Sequence, residues 1–178
     1  SYAPHGFPNV DMLGSDIYLF SAYKTYGPHQ GIMVVRRELG TSLPNQGHYF
    51  NSDSLYKRFT PAGPDHAQVA ACAGMADYVD VVYAHHFKAE ATPAVRCAQV
   101  HDLFRAHEVQ LTQPILDYLE AKNSAQLIGP ASAEDRAPTI AVKLQMSGEE
   151  AAKKLVPFGV MAGGGDFYAV RPLEAMNI

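Results

Sequence analysis

Two short apolar runs constrain this chain most: Asp16-Ile17-Tyr18-Leu19-Phe20-Ser21 and Gly31-Ile32-Met33-Val34-Val35-Arg36, separated by a segment containing Gly27-Pro28. β-Branched and aromatic residues favour pleated backbone and Gly with Pro marks a reversal, so two buried strands joined by a turn are predicted. Lys24 closes the first run, with hydroxyl-bearing Ser21 and Tyr23 just before it. An ammonium held against a buried sheet edge sheds water, which lowers its pKa and makes the amine nucleophilic toward an aldehyde. On its own, a lysine in such a place is most often a plain surface residue. The pattern around it carries more.

The chain has 178 residues, enough for one compact domain or one and a fraction. Its 47% apolar and 18% charged content is that of a globular chain with a real core. The net charge of -4, with basic residues scattered, argues against a nucleic-acid partner. No apolar run approaches the roughly 18 residues of a membrane span, and the first residues do not read as a signal peptide. Cys72 and Cys97 are too few for a disulfide framework and read as helix packing residues, which suits a reducing, cytoplasmic setting. The chain opens at Ser1 without an initiator Met and runs almost directly into a dense motif, so it reads as cut at the front.

Residues 40–64 carry many Gly, Pro, Asn and Ser with little periodicity, and a long irregular connection is predicted there; such loops are usually functional. From Asp65 an Ala-rich pattern predicts one helix to about Phe87. Thr92-Pro93 reads as an N-cap with Pro at the first helical position, opening a long helix toward Leu119 with a kink at Pro114. Strands follow at 126–129 and 138–144, and Ser147-Gly148-Glu149-Glu150 is a capping box for a short helix through Leu155. Further strands are predicted at 159–161 and 167–171. The fold class is therefore α/β, with residues 1–92 a piece of a larger α/β sheet and residues 93–178 a small α+β domain.

The pattern Asp16-x-x-x-x-Ser21-x-Tyr23-Lys24-x-x-Gly27-Pro28-x-x-Gly31, with its following strand, resembles the lysine segment of the class V aminotransferase family, fold type I pyridoxal phosphate enzymes that include cysteine desulfurases and selenocysteine lyases. The resemblance covers nearly the whole chain. It implies the C-terminal part of the large cofactor-binding domain over 1–92 and an incomplete small domain over 93–178. It also implies that Lys24 is the catalytic residue, forming the internal aldimine with pyridoxal 5'-phosphate, and that Ser21 and Tyr23 bind the cofactor phosphate. Tyr23 stands where the family has His; a phenol still donates one hydrogen bond. Phe59-Thr60-Pro61-Ala62-Gly63-Pro64-Asp65-His66 lies where the family carries Glu-x-Gly-Thr-Pro-Asn, so Gly63 takes the place of a Thr that reaches the neighbouring subunit's cofactor, with only its backbone N–H to offer. A Gly-Pro turn capped by Asp65 is the plainer reading of that segment.

The same resemblance puts the pyridine-pairing Asp about two residues before Ser1, the ring-stacking aromatic earlier, and the carboxylate-binding Arg beyond Ile178. Ser1 falls where many relatives have a Gln facing the cofactor. Asp166-Phe167-Tyr168-Ala169 occupies the place of the desulfurase Cys motif, so desulfurase chemistry lacks its thiol. His85-His86 and the pair His101, His107 have no metal-ligand spacing, and no metal is predicted. The expected activity is a pyridoxal-phosphate-dependent aminotransferase or lyase acting on an amino acid, in a homodimer whose contact lies mostly in residues 40–64, with Tyr49, Phe50 and Tyr56, and in the helix starting near Asp65. The alternative is a non-catalytic fragment or interaction module holding half a cofactor site.

Overall fold

The computed structural model describes residues 2–6, 8–60 and 62–178. Ser1 and Pro61, which figure in the expectations above, lie outside the described residues. The backbone divides into two compact units, Ser1–Arg105 and Ala106–Ile178.

In the first unit, two single-turn helices, α1 (Ala3–Gly6) and α2 (Val10–Leu13), precede the strand β1 (Ile17–Ser21). A 3-10 turn over Ala22–Lys24 leads back into β2 (Gly31–Val35), which pairs antiparallel with β1 from Ile17↔Val35 to Ser21↔Gly31. The predicted hairpin is therefore present, but its strands are not buried. Tyr18 and Phe20 are half-covered, whereas Leu19 is 67% exposed and Met33 40%. The reason is topological: among the described residues each strand pairs with the other alone, and a two-stranded sheet has too little around it to cover both faces.

The short helix α3 (Arg37–Ser42) enters the irregular stretch, which holds two further 3-10 turns, Tyr49–Asn51 and Leu55–Lys57. The single helix predicted from Asp65 is two, α4 (His66–Ala71) and α5 (Gly74–His86). Asp65 caps the first, its carboxylate accepting from the amides of Ala67 and Gln68. Between them the bonds tighten to i→i+3, Ala73 to Ala70 and Met75 to Cys72, where Gly74 is a weak helix former. The core of this unit sits between α5 and the start of α6 (Pro93–Glu120), where Val79, Tyr83 and Val100 are buried with Phe87 and Phe104 against them. Arg96 locks the turn between the helices, gripping Asp80 at 2.7 Å and donating to the Ala91 carbonyl at 2.8 Å.

The second unit begins within α6, which runs through Pro114 to Glu120. Leu116 is fully buried there. The strands β3 (Ala125–Ile128) and β4 (Ala141–Leu144) pair antiparallel, and Arg136 ties the connection between them to the carbonyls of Ile128, Pro130 and Thr139. Ser147 caps α7 (Gly148–Leu155) as its capping box predicts, accepting from the Glu150 amide. The two last predicted strands are absent. Gly159 closes a 3-10 turn with φ +72°, and Phe167 and Tyr168 have φ of +50° and +65°, values that no strand tolerates. Asp166 accepts from the Tyr168 amide to make a turn, and the helix α8 (Val170–Met176) follows, with Pro172 in its first turn, where a missing N–H costs nothing. No helix among the described residues is long and apolar enough to cross a membrane.

Candidate active site

The corner between β1 and β2 is built on Ala22, which is fully buried. Its amide donates to Gln30 O at 2.8 Å, and its carbonyl accepts from the amides of Thr25 and Gly27, at 2.7 and 2.9 Å. The Thr25 hydroxyl donates to Ser21 O at 3.1 Å. Tyr26 takes a left-handed backbone, φ +62°, and Gly27 then passes so close to Met75 that a Cβ there would lie 2.6 Å from its sulfur. Only glycine fits that approach without a shift. The outer ends of the motif meet as well, for Arg36 Nε donates to Ser15 O at 3.1 Å and lies 3.5 Å from Asp16 Oδ1.

This scaffold brings Ser21, Tyr23 and Lys24 into one corner. Lys24 ends the 3-10 turn rather than the strand, and its side chain and that of Tyr23 are exposed, so the burial expected around the ammonium is not supplied by the described residues. Lys24 Nζ sits 5.4 Å from the Tyr23 ring centroid, and Tyr23 stacks on His29. Among the described residues, no hydrogen bond or ion pair engages Lys24 Nζ, Ser21 Oγ or the Tyr23 hydroxyl. An amine and two hydroxyls are thus left free at the end of β1 and on the turn that follows it.

Gly63 stands elsewhere. It lines a cavity of about 920 Å³ together with Ile32 and Met33 of β2, Thr60, and Val69 and Cys72, and this wall includes none of Ser21, Tyr23 or Lys24. Nothing lies within 4 Å of where a Gly63 Cβ would be. The loop that carries it is ordered by Arg58, whose guanidinium donates to the carbonyls of Thr41 and Leu43 while its own carbonyl accepts from the amides of Gln46 and Gly47. Gly47 allows the two limbs to touch, since a Cβ there would lie 2.7 Å from Lys57 O and 3.0 Å from Thr60 O. Sequence reasoning missed Ala22, Gly47 and Arg58. Their roles are backbone contacts, and no side-chain pattern announces those.

Asp65, at the rim of this segment, has its carboxyl held below the ordinary value of 3.8, first by the Gln68 amide, then by the Gln68 side chain. No group of three or more His, Cys, Asp or Glu poised to hold a metal occurs among the described residues.

The chain matches the aminotransferase class-V family over residues 1–173. Among curated proteins it is similar to the aminotransferase-like protein FGM3 of Gibberella zeae, with 27% identity over 176 residues covering 96% of this chain. It spans 40% of that relative's length.

Proposed function

We propose, from the fact that this chain belongs to the aminotransferase class-V family, that it supplies the lysine-bearing part of a pyridoxal-phosphate-dependent active site acting on an amino acid. The observation that carries this reading is the corner itself: Lys24 Nζ, Ser21 Oγ and the Tyr23 hydroxyl lie on one turn pinned by Ala22, uncommitted among the described residues. That donor set suits the cofactor, an aldehyde on a ring that bears a phosphate. When bound, pyridoxal phosphate supplies a covalent handle for a lysine amine and a ring that draws electrons from the substrate Cα.

The residues then divide the work. Lys24 Nζ holds the cofactor and moves the proton at the substrate Cα. Ser21 and Tyr23 donate hydroxyl hydrogen bonds to the phosphate, and the Gly63 amide reaches the phosphate of a second copy in a homodimer joined through residues 40–64. The exposed rings of Tyr49, Phe50 and Tyr56 in that stretch support such a contact.

Reductive trapping tests the assignment. With pyridoxal phosphate and borohydride, the pyridoxyl group is expected on Lys24, and Lys24→Ala is expected to abolish it while leaving the fold intact, because the side chain is exposed. Trapping on Lys57 or Lys88 instead would refute the site. No trapping at all favours the reading of this chain as a non-catalytic module.

A further inference from the structure

The cavity beside β2 has Gly63 in common with the cofactor site proposed above and Phe50 and Tyr56 in common with the proposed subunit contact, but none of Ser21, Tyr23 or Lys24, and its chemistry points to a ligand of its own. Its volume of about 920 Å³ lies within the roughly 300–1,000 Å³ typical of small-molecule sites. Ile32 and Met33 floor it with apolar surface, and the loop supplies His48, Phe50, Tyr56 and Lys57 to its walls. His48 and Phe50 lie almost parallel, 7° between planes with centroids 5.0 Å apart, so they present a flat aromatic face. Flat faces favour offset stacking with another planar ring.

Charge selects the rest of the ligand. Among the described residues that line the cavity there is no Asp or Glu, and Lys57 is its one formal cation. Lys57 Nζ sits 5.5 Å from the Tyr56 ring centroid and has no carboxylate partner among the described residues. A cation beside an apolar floor and without a carboxylate partner attracts an anion. One ammonium, rather than a guanidinium fork, suits a single compact negative charge.

We propose that this cavity binds a small aromatic carboxylate, with its ring against the His48–Phe50 face and its charge on Lys57 Nζ. The experiment uses the whole chain without added cofactor and follows the fluorescence of anthranilate, with anthranilamide as its uncharged twin and cyclohexanecarboxylate as a non-aromatic anion. Anthranilate is expected to bind saturably, anthranilamide about tenfold or more weakly, and cyclohexanecarboxylate not to displace it at equal concentration. Lys57→Gln is expected to weaken anthranilate about tenfold, and Phe50→Leu to weaken it while sparing the preference for charge over amide.

Absence of saturable binding, equal affinity for the amide, unchanged affinity in Lys57→Gln, or displacement by cyclohexanecarboxylate would each overturn the proposal. Lys24→Ala separates this site from the cofactor's. In that variant anthranilate binding is expected to persist, and displacement of anthranilate by pyridoxal phosphate would show the cavity to be the cofactor's own and overturn the proposal. Failure of trapping on Lys24, by contrast, refutes the cofactor site and leaves the anthranilate result standing.

Discussion

The Tyr23 ring lies stacked on the imidazole of His29, with centroids 4.8 Å apart and 15° between planes. The contact closes the connection between β1 and β2 from outside, while Ala22 closes it from within. Tyr23 thus has two separable parts, a ring that holds the turn and a hydroxyl free for a ligand.

Substitution should split them. Tyr23→Phe keeps the stack and is expected to leave stability unchanged, whereas Tyr23→Ala is expected to cost about 0.5 kcal/mol, the low end for an aromatic pair because this one is exposed. Combined with Ser21→Ala, Tyr23→Phe is expected to weaken pyridoxal phosphate binding more than about tenfold, since two hydrogen bonds to a dianion are lost. Spectroscopic titration of the cofactor measures this, and an unchanged affinity removes both residues from the phosphate site.

Gly47→Ala tests how the irregular loop is held. The new Cβ meets the carbonyl oxygens of Lys57 and Thr60, which are backbone atoms and cannot swing aside. A loss of about 1–3 kcal/mol is expected in urea unfolding, together with a weaker response of the neighbouring cavity to anthranilate. A neutral result means the two limbs of the loop are not in close contact.

Acid should loosen the start of α4. The folded state holds the Asp65 carboxyl below 3.8 by hydrogen bonds that the charged carboxylate accepts more strongly than the acid, so the unfolded chain takes up the proton first as pH falls. The stability this group contributes is present above pH 3.8 and is lost as pH drops through the folded value. Asp65→Asn still caps the helix but does not titrate, and it is expected to flatten that part of the stability–pH curve. Urea midpoints at about pH 6 and about pH 2.5 give the comparison; parallel curves for the two proteins would exclude the cap as the source.

Local chemistry made much of this chain legible from its sequence. The β1–β2 hairpin and the caps at Asp65, Thr92-Pro93 and Ser147 depend on neighbours a few residues away, and each stands where the sequence puts it; the family that the lysine motif suggested matches residues 1–173. Where it failed, backbone geometry outweighed residue preference. Phe167-Tyr168-Ala169-Val170 has the composition of a strand, yet left-handed residues at 167 and 168 and Pro172 in the following turn make it the entry to α8. One signal for that was present in the sequence, the proline, but its weight depends on where the helix starts. The stack of Tyr23 on His29 and the cavity bounded by β2, Lys57 and Gly63 had no signal in the sequence. The stack depends on how the turn folds back on itself and the cavity joins residues distant along the chain, with Gly27 against the Met75 side chain and Gly47 against the backbone of Lys57 and Thr60, and only the tertiary structure decides which atoms meet there.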